Sequence, residues 1–180
     1  MNGLITIFGG SGFIGRYLVR RLAATGRPIR VAVRDPEAAG FLKPMGAVGQ
    51  IELVAANVRD DDSVARAVRG AAAVVNLVGI LAEHGQQTFR AVHVEGSERI
   101  ARAARAAGAR RLVQMSAITA DPNGDSRYAR SKSAAETVVR TAFKDATIVR
   151  PAVVVGDEDD FLNRLGATAR ILPAMLIFGG

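Results

Sequence analysis

One stretch near the amino terminus, Leu4-Ile-Thr-Ile-Phe-Gly-Gly-Ser-Gly-Phe-Ile-Gly-Arg-Tyr-Leu-Val-Arg-Arg-Leu22, restricts the fold more than any other. Leu4–Phe8 is a short apolar run that reads as a buried strand. After the glycines, Ile14, Leu18, Val19 and Leu22 recur at helical spacing. Gly9, Gly12 and Gly15 stand three apart across this strand-to-helix turn, with Gly10, Ser11, Phe13 and Ile14 between them. Gly9 allows the tight turn, Gly12 lets backbone approach a bound pyrophosphate, and Gly15 lets the helix pack close to the strand. The new helix presents free N–H groups and its positive dipole end to the anion. Glycines also cluster in ordinary turns. A strand before, a helix after and a second strand at Ile29–Val33 favour the dinucleotide reading.

The rest of the chain continues the alternation. Helix one runs to about Ala24, with Gly26 just beyond its end. Further strands are expected at Ile51–Ala55, Ala72–Leu77, Arg111–Met115 and Ala146–Val149. Between them, helices are expected from Asp60, from about Thr88 to Ala107, and from Arg127 to about Phe143. Ile80–Gln87 reads as a loop, and a last helical stretch covers about Phe161–Ile171, stopped by Pro173. Such alternation predicts an α/β fold, a doubly wound parallel sheet of the Rossmann type. Residues 1–156 are expected to form the NAD(P)-binding domain, and residues 157–180 the start of a carboxy-terminal substrate lobe that the 180-residue sequence cuts short.

In such sheets the end of the second strand selects the cofactor. An acidic side chain there bonds the ribose 2′-hydroxyl of NAD, and an arginine accommodates the 2′-phosphate of NADP. Arg34 follows Val33 directly, with Asp35 next, so NADP(H) is preferred and NAD(H) is the alternative. Asp35 also reads as a cap for the helix that follows. The small residues of Asn76-Leu77-Val78-Gly79 let backbone approach a cofactor ring.

The net charge of +7 raises nucleic-acid binding as a class, but the arginines are spread along helices with almost no aromatic residues interleaved, and this class is set aside. There is no cysteine, which excludes disulfides, thiolate metal sites and a cysteine nucleophile; two histidines are too few for most zinc sites, so no metal is assigned. No apolar run approaches the roughly 20 residues of a membrane span. The first strand begins almost at Met1, so neither a signal nor a transit peptide is expected and the cytoplasm is the default compartment.

Tyr128-Ala-Arg-Ser-Lys132 is the second informative constellation. Four residues apart on a helix, a phenol and an ammonium share one face. A phenol near pKa 10 is a poor base at neutral pH, and a neighbouring ammonium would lower that value. Ser116 lies at the carboxyl end of the fifth strand, on the ligand-binding edge of an open sheet, where its hydroxyl could hold a substrate carbonyl. Thr119 competes for that role.

With these residues in place, the sequence resembles the short-chain dehydrogenase/reductase superfamily, on its extended or atypical, epimerase/dehydratase-like branch. The motifs are Gly9–Gly15, Asn76–Gly79, Val94-Glu-Gly96, Met115-Ser116, Tyr128-x-x-x-Lys132 and Arg150-Pro151. Ser126–Lys132 together with Glu158–Arg164 is similar to the NADPH-binding accessory subunits of respiratory complex I and their bacterial relatives. That resemblance implies a bound NADP(H), with the glycine loop on the pyrophosphate and Arg34 on the 2′-phosphate. It also implies that Asn57, Val58, Leu77, Val78, Gly79, Met115, Tyr128, Lys132 and Pro151 line the cofactor site. Respiratory complex I or a second copy of the chain is the implied partner, and a peripheral position at the inner membrane the implied location.

Three departures stand out. Asn57 replaces an aspartate, His93 replaces an asparagine of the long helix, and Ser116 precedes Tyr128 by only 12 residues. His93 reads as a helix residue packed on the sheet. Two functions follow: a structural or redox-sensing NADP(H)-binding protein, or an oxidoreductase, epimerase or dehydratase using Tyr128, Lys132 and Ser116.

Overall fold

A computed structural model describes residues 3–156, 158 and 159. Six strands, β1 (Ile5–Phe8), β2 (Ile29–Val33), β3 (Ile51–Ala55), β4 (Ala73–Asn76), β5 (Arg111–Met115) and β6 (Thr147–Val149), form one parallel sheet ordered β3-β2-β1-β4-β5-β6. This is the expected doubly wound α/β sheet, and its order reverses between β1 and β4, the switch point beside which such folds bind ligands. All four residues of β1 are buried, as a central parallel strand covered on both faces requires.

Four helices flank the sheet: α1 (Phe13–Ala23), α2 (Asp61–Val68), α3 (Gly96–Ala106) and α4 (Arg127–Ala142). Strand alternation splits the core into two clusters. Ile5, Ile7, Val31 and Val33 meet Val19 of α1 and Leu42 of the 3-10 turn Gly40–Met45. Phe8, Val74 and Leu112 meet Val64, Ile100 and Val139, one from each of α2, α3 and α4. Phe8 and Ile100 are each 1% exposed, and burial of a side chain of that size stabilises by about 2 kcal/mol.

Capping explains the helix starts. Asp60 accepts from the Ser63 N–H at 2.8 Å, and Ser126 accepts from the Ala129 N–H at 3.0 Å. The Gly12 start of α1 has no side-chain cap and its first turn holds no acidic residue, so no carboxylate of the helix competes for an anion there.

The strand and helix expectations hold within a residue or two, with one difference of kind. The helix expected from Thr88 opens as a π-helical segment, Arg90–Glu95, before becoming α3. The helix expected at Phe161–Ile171 lies outside the described residues, as does nearly all of 157–180.

Candidate functional site

Two cavities join over the glycine loop at the carboxyl edge of the sheet. One, of about 290 Å³, lies over the ends of β2 and β3; the other, of about 400 Å³, lies over β4, β5 and the start of α4. Gly9, Gly12, Leu77 and Gly79 line both. Two chambers meeting at an amide-rich turn suit two nucleosides joined by a pyrophosphate.

Each glycine of the turn answers to a different neighbour. Gly9 has φ +76°, a conformation that favours glycine. A Cβ on Gly15 would lie 2.3 Å from the Gly9 carbonyl oxygen and 2.6 Å from Gly10 Cα, so the close seating of α1 demands its absence. A Cβ on Gly12 would meet only the Gly9 oxygen, at 3.4 Å. No packing inside the protein requires glycine there, and the space it leaves opens into both cavities. The residues present therefore fit a dinucleotide on an observation independent of the motif. Gly10 departs from the expectation: it lines neither cavity and is buried beneath the turn, where a Cβ would lie 2.5 Å from Val31 Cγ1.

On the β2–β3 side, Ser11, Arg34, Asn57 and Val58 line the cavity as expected, with Val78 on its far wall. Arg59 and Gln87 join them, two residues that sequence reasoning passed over. Asn76 shapes the far wall. Its side-chain nitrogen donates to Ser97 and Gln114, and its oxygen accepts the Val78 N–H at 3.0 Å, fixing the Leu77–Gly79 backbone.

On the β4–β5 side, Phe13, Ile14, Met115, Ser116, Tyr128 and Lys132 come together, with Pro151 opposite. Lys132 is 4% exposed and its Nζ donates to the Met115 carbonyl at 2.9 Å. Burial lowers its pKa to about 8, with the Glu136 carboxylate acting in the opposite direction. Tyr128 differs from the sequence expectation: burial raises its pKa above 10.0. The phenol packs edge-on against Phe89 and His93, with ring centroids 5.9 and 5.6 Å away.

The Ser116 hydroxyl donates to the buried Glu136 carboxylate, which Arg150 grips in a fork through Nε at 2.8 Å and Nη2 at 2.6 Å. Burial pushes the Glu136 carboxyl up, but the bonds from Arg150 and Ser116 outweigh it and hold the pKa below 4.5. Glu136 stands four residues after Lys132 on α4, the one clue in the sequence to its place.

His93 does not simply pack on the sheet. Its Nε2 accepts the Ile80 N–H at 3.0 Å, and its Nδ1 lies 2.9 Å from the Ser131 hydroxyl, which itself donates to the Tyr128 carbonyl. It joins the loop after β4 to the helix that carries Tyr128. Burial and then the Lys132 charge lower its pKa to about 4.

Residues 9–168 match the model of a family described as NAD(P)H-binding. The chain is 36% identical over 167 residues to the mitochondrial NADH-ubiquinone oxidoreductase 40 kDa subunit of Neurospora crassa, covering 93% of this chain and 44% of that protein. It is 34% identical over 177 residues to a ceramide reductase of Caulobacter vibrioides, covering 97% of this chain and 54% of that one. The chain spans about half the length of these curated relatives. Among solved structures, a putative NAD-dependent epimerase/dehydratase from Bacillus halodurans superposes with a TM-score of 0.75 at 24% identity, covering 88% of this chain and 74% of that one; this likeness concerns the fold.

Proposed function

This chain belongs to the NAD(P)H-binding family, and on that premise we propose that it holds a nicotinamide dinucleotide as a standing ligand, NADP(H) in preference to NAD(H), in a structural or redox-sensing role. The Gly9–Gly15 turn and the α1 amino terminus would hold the pyrophosphate, and Arg34 the 2′-phosphate. The Leu77–Gly79 backbone, Met115 and Pro151 would flank the nicotinamide half. When bound, the nicotinamide supplies hydride exchange.

The observation that carries the non-catalytic side of this reading is the Ser116–Glu136–Arg150 chain. A serine that polarises a carbonyl must donate its proton to it, whereas Ser116 donates to a carboxylate already fixed by a guanidinium. The raised pKa of Tyr128 points the same way, since it keeps the phenol protonated and makes it a poor base near neutrality. Relatives named as mitochondrial respiratory-chain subunits support a place beside a respiratory complex, in the cytoplasm and peripheral at the inner membrane, as the partner and location. No helix among the described residues is long and apolar enough to cross a membrane.

The test is mass spectrometry of the nucleotide that accompanies the purified full-length protein, followed by an assay of NADPH oxidation. The reading expects NADPH, slow exchange and no turnover. Protein that takes up neither nicotinamide nucleotide in calorimetry would overturn it.

A second reading, an active NADP-dependent oxidoreductase, epimerase or dehydratase, is favoured by the shared cavity of Tyr128 and Lys132 and by the reductase among the relatives. Here Tyr128 would pass a proton from its hydroxyl while Lys132 holds the cofactor side of the chamber. Steady NADPH oxidation with a carbonyl substrate, abolished by Tyr128→Phe with cofactor binding kept, would establish it.

A further inference from the structure

The loop after β4 reaches back across the β2–β3 cavity and occupies both guanidinium groups at its rim. Arg34 donates from Nη1 to Gln87 Oε1 at 3.1 Å. Arg59 donates from Nη1 to Gln86 Oε1 at 2.9 Å and to the Gln86 carbonyl at 3.3 Å. Other arginines of the chain have carboxylate partners: Arg30 meets Glu52, Arg99 meets Asp61 and Arg127 meets Glu83. Arg34 and Arg59 have none among the described residues. The acids beside them in sequence are committed elsewhere, Asp35 to the Glu37 and Ala38 N–H groups and Asp60 to the Ser63 N–H. Two positive charges thus face one cavity with only neutral amide oxygens to hold them.

A neutral oxygen is a weak partner for a guanidinium. Bonds from arginine to an ionised oxygen are about twice as strong, and a phosphate offers several such oxygens in a geometry the planar fork matches. An incoming phosphate would therefore displace the glutamines.

We propose that Arg34 and Arg59 are two arms of one site for a phosphate monoester on the adenosine ribose, and that Gln86 and Gln87 are its built-in competitors. This rests on the NADP(H) reading and deepens it. Arg59 is a second specificity-determining residue, and the two amide side chains set how tightly the extra phosphate is held. The same loop is tied at its other side to the opposite chamber. Glu83 accepts the Phe89 N–H at 2.8 Å and pairs with Arg127, the neighbour of Tyr128, at 2.8 Å. Release of Gln86 and Gln87 frees one side of a loop whose other side borders the phenol.

The test is calorimetric titration of the full-length protein with 2′,5′-ADP and with 5′-AMP, which differ only in the 2′-phosphate. The wild type is expected to prefer 2′,5′-ADP. Arg59→Ala is expected to weaken 2′,5′-ADP by about tenfold or more, the size of a lost charged hydrogen bond, with 5′-AMP held within about twofold. The double variant Gln86→Ala/Gln87→Ala is expected to bind 2′,5′-ADP several-fold more tightly, again with no change for 5′-AMP. An affinity ratio between the probes that Arg59→Ala leaves untouched overturns the two-armed site. A double variant that gains nothing for 2′,5′-ADP overturns the competition. If the wild type binds neither probe, the nucleotide reading fails first and takes this site with it; binding of both with equal affinity defeats only the proposal made here.

Discussion

Acidification should weaken the fold through His93, and the size of the effect can be worked out. The ring is 1% exposed, its Nε2 lone pair takes the Ile80 N–H, and its pKa falls from 6.5 to about 4 through burial and the Lys132 charge. With Nε2 occupied, the neutral ring carries its proton on Nδ1 and gives it to Ser131. Between pH 6.5 and 4 the unfolded chain binds a proton that the native state refuses, so stability rises with pH across that window. Fully expressed, the gap amounts to about 3 kcal/mol. From pH 7 down to pH 5 this group alone should remove about 2 kcal/mol. Glu136, whose pKa is lowered, loses its native advantage only as the pH falls below about 4.5, so the two effects separate. Urea unfolding at pH 7, 6 and 5 measures this directly. Wild type should lose about 2 kcal/mol, whereas His93→Gln should start lower and stay flat to within roughly 0.5 kcal/mol. A wild type that is equally stable at both ends, or a variant with the same slope, refutes the reasoning.

The glycines make a paired prediction. Gly15→Ala should destabilise by about 1–3 kcal/mol and abolish nucleotide binding, because its Cβ meets backbone at 2.3 Å. Gly12→Ala should cost less than about 1 kcal/mol in thermal unfolding yet still weaken nucleotide uptake in calorimetry, because its Cβ enters open cavity. Lys132 acts on the alkaline side: with its pKa lowered to about 8, the cost of burying the ammonium is relieved as pH rises from 8 toward 10.5. Wild type should gain about 2 kcal/mol relative to Lys132→Met between pH 7 and 9.5, measured by denaturant unfolding. Glu136→Gln should lower the Lys132 pKa further, since the Glu136 charge now holds it up; a titration followed by NMR that finds it unchanged or higher would contradict the cavity electrostatics.

The sheet was legible because each strand is a short apolar run closed by glycine or a polar residue, as Ile5–Phe8 is closed by Gly9. The starts of α2 and α4 were legible because Asp60 and Ser126 cap locally, within three residues. The phosphate turn was legible for the same reason, except for Gly10, whose partner Val31 lies on another strand. Contacts made across the fold left no trace. Arg59 and Gln86 are brought together only when the loop after β4 folds over β3, and Arg150 reaches Glu136 from β6 to α4. The π-helical opening at Arg90–Glu95 contains His93, whose partners are Ile80 and Ser131, and helical periodicity carries no sign of either. The phenol shows the limit most sharply: spacing placed a lysine one turn away, but the burial that governs Tyr128 is a property of the packed chain.

The position of β1 in the middle of the sheet also sets an order of assembly. The ribosome delivers β1, the glycine turn, α1 and β2 first, and the Gly9 N–H already finds the Ala32 carbonyl within that segment, at 3.3 Å. The wall at Leu77–Gly79 comes with β4, and Tyr128 and Lys132 only after β5. A growing chain therefore makes its anion seat before it has synthesised any group that could act on what sits there.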